Sequence, residues 1–288
     1  MRSYLFFNPS SGHYSENLLN RIVAKLHSHG IFPELFRVLT PSDVAAHCNT
    51  INKKHQQNMA IIAGGDGTIN AVVNCLNPDT ATLAVLPFGT SNILAAEIGI
   101  TSLADGVARI AAGKTRSLSV GLLGLKETTL RFVLMAGIGL DGAVVRDVWP
   151  LGKRFLRQGA YALSAIKHMM AWDPTVFEIS TPVNKVICHT AIICNASRYG
   201  GNFILSPGSS PFTPGLSAVC TSGNKRRTYL NNAHALFGKS AGTNKDLIRI
   251  QSSFYDISGN HPIQIDGDFV GYAPARISEC NNFARIIV

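Results

Sequence analysis

At 288 residues the chain is long enough for two domains, because single hydrophobic cores usually stop growing near this size. Hydrophobic residues make up 46% and charged residues 15%, which excludes a disordered chain and describes a globular one. Lys and Arg outnumber Asp and Glu by 26 to 17, and the resulting +9 favours an anionic partner: a phosphorylated small molecule, an anionic membrane surface or nucleic acid.

The apolar run at 4–7 is short and is followed at once by an Asn8-Pro9 turn, so it reads as a first strand and not as a signal peptide. No stretch reaches the roughly 18 uninterrupted apolar residues of a membrane span. Residues 15–27 place Leu18, Leu19, Ile22, Val23 and Leu26 at helical spacing. A strand at 32–39, a helix at 41–51 and a strand at 59–63 follow. The next helix runs through 70–76, then come a strand at 82–86 and a helix at 90–98. This alternation predicts a doubly wound parallel sheet, whose ligands sit at the carboxyl ends of the strands.

After about residue 115 the character changes. Short β-type runs at 130–136, 176–180, 186–194, 216–221, 245–251, 262–265 and 285–288 are separated by Gly, Pro, Ser and Asn clusters. A clear helix at 157–170 and a weaker one at 229–237 interrupt them. The pattern predicts an antiparallel sandwich or barrel after the α/β part, with the division at 1–120 and 121–288 and the extreme C-terminus able to pack back on the first domain. The six cysteines form no CxxC pair and read as reduced thiols of a cytosolic protein, mostly buried and structural.

The main motif is Ile61-Ile62-Ala63-Gly64-Gly65-Asp66-Gly67-Thr68-Ile69-Asn70, an apolar strand running through glycines into a helix. Strand, glycine turn and helix start make a phosphate cradle, because glycines admit a close backbone and the helix start offers free N–H donors. Asp66 is the odd member, since a carboxylate repels phosphate unless a metal or a proton-transfer role justifies it. Leu86-Pro87-Phe88-Gly89-Thr90-Ser91-Asn92 repeats the arrangement one strand later, so the two turns are expected to face one crevice. The P-loop lysine and the Gly-x-Gly-x-x-Gly fingerprint are both missing from these turns. Gly137-Ile138-Gly139-Leu140-Asp141-Gly142 approaches that fingerprint but follows a sandwich strand and reads as a tight turn. Asn8-Pro9-Ser10-Ser11-Gly12 is a plain turn or a nucleotide contact. Asp266-Gly267-Asp268 is either an Asp-Gly hairpin turn or the seat of a general base that acts with Mg²⁺.

Taken in order, Asn-Pro-x-Ser-Gly, Gly-Gly-Asp-Gly-Thr-Ile-Asn, Pro-x-Gly-Thr-x-Asn and Asp-Gly-Asp resemble the bacterial branch of the diacylglycerol kinase catalytic family, relatives of sphingosine and ceramide kinases and, more distantly, of NAD kinases. Gly137 to Asp141, the helix entry from Lys153 to Tyr161, and Asn195 with Arg198-Tyr199-Gly200-Gly201 extend the resemblance. It implies an α/β nucleotide-binding domain, a β-sandwich domain for the lipid, and ATP in the cleft between them. By position, Asn8, Gly12, Thr40, Gly64, Gly65, Asp66, Gly67, Thr68, Ile69, Asn70, Ala71, Gly89 and Thr90 are implied ATP-site residues, with Asp66 organising Mg²⁺. Asp268 stands where the family has the Glu assigned as proton acceptor, with Asp266 beside it. The family's usual carboxylates are replaced by Ile93 and Ser119, and Ala71 replaces a Glu. Pro214 replaces the Asp of a structural Mg²⁺ site, which is therefore expected to be absent or rebuilt.

The expected function is an ATP- and Mg²⁺-dependent lipid kinase, diacylglycerol-like by default, that is cytoplasmic and visits an anionic membrane. Lys153, Arg154 and Arg157, with Lys225, Arg226 and Arg227, are candidate head-group contacts. Alternatives are a ceramide, sphingoid or other alcohol kinase, and a nucleotide- or lipid-binding regulatory protein. No nucleic acid is expected, and the sequence allows a homodimer without fixing it.

Overall fold

A computed structural model of the chain describes residues 1–53, 57–148, 175–200, 203–222 and 247–288. It divides into two compact units, Met1–Val120 with Cys280–Val288, and Gly121–Glu279. The helices expected at 157–170 and 229–237, and the six basic residues proposed for head groups, lie outside the described residues.

In the first unit β1 (Arg2–Phe7), α1 (Glu16–Ser28), β2 (Glu34–Arg37), α2 (Pro41–Asn52), β3 (Asn58–Gly64), α3 (Asp66–Cys75), β4 (Ala81–Pro87), α4 (Ile93–Glu97) and α5 (Leu103–Ala112) alternate as a doubly wound fold requires. The strands run parallel in the order β2-β1-β3-β4, and the chain's last strand pairs beyond β4 through Ile286 and Leu83. Successive residues of β1 face opposite sides. Leu5 packs with Leu19, Ile22 and Leu26 of α1 and Val107 and Ile110 of α5, while Tyr4 and Phe6 meet Phe36 on the other side, where Phe36 stacks on His47 of α2. β3 is buried along its whole length, as a central parallel strand must be.

The second unit is antiparallel. It contains β5 (Thr115–Gly124, from Gly121 on), β6 (Thr129–Phe132), β7 (Met135–Gly139), α6 (Leu140–Arg146), β8 (Phe177–Ser180), β9 (Lys185–Cys188), β10 (Thr190–Cys194), β11 (Arg198–Tyr199) and β12 (Phe203–Ile204). β13 (Leu216–Thr221), β14 (Leu247–Ser252), β15 (Phe254–Ile257), β16 (Pro262–Ile265), β17 (Asp268–Tyr272) and β18 (Ala275–Ile287, to Glu279) complete it. One sheet runs β14-β13-β10-β7-β16-β17; β18, β15, β8 and β9 lie in another. Side chains of both sheets, among them Ile138, Ile193, Ala218 and Ile263 from one and Ile179, Tyr255 and Ile277 from the other, share one buried cluster. The α/β-plus-sandwich class is thus the observed one.

Differences from the sequence reading have local causes. The helix expected at 90–98 starts only at Ile93, because Asn92 takes a left-handed backbone (φ 48°) and folds its side chain back onto Gly89. The run at 130–136 breaks after Phe132, because the N–H groups of Val133, Leu134 and Met135 turn to a carboxylate. Gly137 to Gly142 is no tight turn: β7 ends at Gly139 and α6 begins, with Gly139 at φ 78°. All six cysteines are free, and among the described residues no helix is long and apolar enough to cross a membrane.

Candidate active site

Three loops leave the carboxyl ends of β1, β3 and β4, and they are bonded to one another. β3 and β4 pair up to Gly64 opposite Pro87, so their following turns are neighbours. Phe88 N–H donates to Gly64 O (3.3 Å), Asn8 N–H to Ala63 O (3.3 Å) and Asn8 Nδ2 to Thr68 Oγ1 (3.3 Å). His13 N–H donates to Phe88 O (3.0 Å), while its ring Nδ1 lies 2.7 Å from Gly89 O. That carbonyl can only accept, so Nδ1 carries the proton of this bond. Asn92 completes the clamp, accepting from Gly89 N–H and donating to Gly89 O, both at 2.8 Å.

Close packing, against backbone at Gly89 and against the Thr68 side chain at Gly64, explains two of the glycines. A Cβ on Gly89 would stand 2.4 Å from Gly65 Cα, and one on Gly64 would stand 2.6 Å from Thr68 Cβ. Gly67 differs: a Cβ there meets nothing within 4 Å. It lies in the first turn of α3, a ten-residue helix whose N-cap, Gly65, makes no side-chain capping bond. Open space in front of an uncapped helix start suits an anion, which takes the place of the missing cap. A phosphate group therefore fits this cradle.

Asp66, the first residue of α3, fastens the next turn. Its Oδ2 accepts from Ile93 N–H and its Oδ1 from Leu94 N–H, each at 3.0 Å, so it serves as the cap α4 otherwise lacks. Burial raises its pKa above the usual carboxylate range, and the amide bonds only partly hold it down. Each oxygen retains a second lone pair. A Mg²⁺ ion, which takes one or two carboxylates together with substrate phosphates, fits such a residue. Ile93 is buried, and Ser119 donates to Asn281 Oδ1 (3.2 Å), so neither supplies a second charge. Among the described residues no group of three or more His, Cys, Asp or Glu is gathered for a metal.

Other implied ATP residues are engaged elsewhere. Thr40 caps α2 in a reciprocal box with Asp43, accepting from Asp43 N–H at 3.2 Å while Asp43 Oδ2 accepts from Thr40 N–H at 2.9 Å. Ile69 is a core residue whose N–H bonds Gly65 O. Asn70 accepts from Asn74 along α3 (2.9 Å). Gly12 and Thr90 are exposed in the first and third loops.

In the second unit Asp266 and Gly267 form the two-residue loop between β16 and β17, both at positive φ (48° and 91°), the backbone of a type I′ hairpin. The Asp266 carboxylate accepts from Val133, Leu134 and Met135 N–H at 2.7, 2.9 and 2.9 Å. Asn195 Nδ2 donates to the carbonyl of the same Val133 at 2.7 Å. Asp268 is exposed at the start of β17. Beneath the hairpin lies Asp141, buried, bonded by Tyr199 OH and by Gln264 Nε2 (2.7 Å). Burial raises the Asp141 pKa against the lowering effect of both donors. Around Pro214, Ser209 donates to Ser206 Oγ (2.9 Å) and Gly215 N–H to Glu279 Oε1 (2.8 Å), a carboxylate brought from distant sequence. The sequence reading passed over His13 and Gln264. His13 is signalled only by its place after Gly12, and Gln264 by being polar at an inward position of an alternating strand.

Residues 2–123 match the family model of the diacylglycerol kinase catalytic domain. The resemblance carried by the motifs is borne out. The matched residues take in all three bonded loops. A diacylglycerol kinase of Bacillus subtilis (strain 168) is 30% identical over 62% of this chain and 59% of its own length. The next two curated relatives are matched over 52% and 49% of theirs. In fold, the chain is similar over 99% of its length to a diacylglycerol kinase structure from Bacillus anthracis str. Sterne, with a TM-score of 0.75, 16% identity and 96% of that chain covered. An NAD kinase from Archaeoglobus fulgidus, solved in complex with ATP, shares the fold more loosely, with a TM-score of 0.52, 11% identity and coverage of 100% of this chain and 94% of that one.

Proposed function

We propose that the chain is an ATP- and Mg²⁺-dependent lipid kinase that phosphorylates a hydroxyl of a membrane lipid, diacylglycerol-like by default. The observation that carries this reading is the uncapped start of α3, open in front of Gly67 and braced from behind by the Gly65–Gly89 contact. The backbone N–H groups there hold the phosphates of ATP, and the bonded loops of Asn8, His13 and Asn92 keep the cradle from reorganising. Asp66 would hold Mg²⁺ through the lone pairs that its carboxylate oxygens retain beside their amide bonds. When bound, that ion neutralises charge on the phosphoryl group.

Asp268 accepts the proton of the lipid hydroxyl. The oxygen of the lipid hydroxyl forms the new bond to the γ-phosphorus as the bond to the bridging oxygen breaks and ADP leaves. Asp266 has a different task from the shared catalysis expected of it: with three amides on its carboxylate it fixes the hairpin that presents Asp268. The chain works in the cytoplasm and visits an anionic bilayer peripherally, drawn by its +9 charge.

A panel of lipids in mixed micelles with γ-labelled ATP tests this. Transfer to diacylglycerol is expected. Transfer only to ceramide, a sphingoid base or a non-lipid alcohol moves the substrate class, and ATP binding without transfer to any alcohol identifies a regulatory protein.

A further inference from the structure

The network under the Asp266-Gly267 loop belongs to no step above. Gln264 lies at a register shift between β16 and β17, where the ladder passes from Ile263 opposite Gly271 to Gln264 opposite Phe269. Such bulges re-aim side chains beside them. The Gln264 side chain is buried and its amide bridges two groups. Nε2 donates to Asp141 Oδ2 at 2.7 Å, and Oε1 accepts from Gly267 N–H at 2.8 Å. Chemistry fixes its orientation, since a carboxylate cannot donate to the amide oxygen and a backbone N–H cannot accept from its nitrogen.

The room for this bridge is also built in. Gly137 of β7 pairs opposite Gln264. A Cβ on Gly137 would fall 1.7 Å from Asp141 Oδ2 and 2.7 Å from Gln264 Nε2. Tyr199 OH holds the other Asp141 oxygen. A buried carboxylate anchored on one side thus reaches, through a single amide, the backbone of the residue directly before Asp268.

We propose that Gln264 is a positioning residue for the phosphoryl transfer: braced by Asp141, it holds Gly267 and so sets where Asp268 presents its carboxylate. This rests on the reading of Asp268 as proton acceptor. Misplacing a reacting group by about 1 Å can cost on the order of a hundredfold, so removal of the brace is expected to lower kcat and to leave the KM for ATP unchanged.

The test exchanges donor and acceptor across the bond. Gln264→Glu sets two carboxylates against each other, whereas Gln264→Glu with Asp141→Asn restores one donor and one acceptor at unchanged net charge. The single variant is expected to lose about 10- to 100-fold in kcat and to exchange the Gly267 amide proton faster. The double variant is expected to recover most of both. A single variant with wild-type kcat and wild-type Gly267 exchange overturns the proposal. So does a double variant no better than the single, which is what a role in packing alone predicts. If the single variant does not fold, the double is compared with wild type directly, and failure of the double to fold or turn over counts against the proposal. Full transfer by Asp268→Asn, or none by the wild type, sinks the functional reading itself. Gly267 exchange across the same three proteins still decides whether Gln264 holds the loop.

Discussion

Two acidic turns, one in each unit, look alike in sequence and are built differently. Asp66 follows a buried parallel strand and accepts two amides from a turn 27 and 28 residues away. Asp266 occupies a hairpin loop and accepts three amides from a segment more than 130 residues earlier in the chain. In both, the conspicuous carboxylate first fastens backbone, and the position to which the proposed function gives the chemistry lies next to it: the open helix start at Gly67, and the exposed Asp268. A motif acid is therefore a fastener before it is a reagent, and the number of amides it holds ranks what its loss will do.

Asp266→Ala is expected to have the largest effect. It leaves three buried donors without their charged acceptor, and each such donor costs about 1–3 kcal/mol. A loss of about 3–5 kcal/mol in urea unfolding is expected; a loss below about 1 kcal/mol would show that water replaces the carboxylate and that the hairpin is not held this way. Gly89→Ala comes next. Its Cβ meets backbone, which has no rotamer to yield, so about 1–3 kcal/mol is expected together with weaker ATP binding by calorimetry. Unaltered ATP affinity would detach the Gly65–Gly89 contact from the cradle.

Asp66→Asn keeps the shape but turns one acceptor into a donor facing an amide, at about 1 kcal/mol. Its pH dependence sharpens the comparison. The folded pKa of Asp66 is raised by burial, so the native state binds the extra proton, and its contribution to stability falls as pH rises from the ordinary carboxylate range through the folded value. The variant lacks that fall, and parallel unfolding curves across the acid range would contradict the assignment. The smallest effect has the opposite sign. Asp43 is lowered by the Leu39 and Thr40 amides, so its contribution is present above the unfolded pKa and is lost as pH falls through the folded one. An NMR titration of the Asp43 carboxyl that shows no downward displacement would remove it from the α2 cap.

The sequence was most readable where one element obeys one period. β1, α1, α2, β3 and β4 were legible from alternation and 3.6-residue spacing. α5 went unread, although Ser102, Asp105 and Gly113 carry the signals of both its ends. β18 was visible only at its last residues, because Glu279, Asn281 and Asn282 interrupt the apolar pattern of a strand that pairing with β15 and β4 keeps extended. The glycine cradle showed in the motif itself. The partners of Asp66, Asp266 and Gln264 did not, since they are backbone amides and a carboxylate made adjacent only by the finished fold.

The most direct measurement is γ-phosphoryl transfer from labelled ATP to diacylglycerol in mixed micelles by wild type and Asp268→Asn, with ATP affinity measured on both. Transfer by the wild type, a fall in kcat of about 10²- to 10⁴-fold in the variant and equal ATP affinity are expected. Undiminished transfer by Asp268→Asn would contradict its role as proton acceptor.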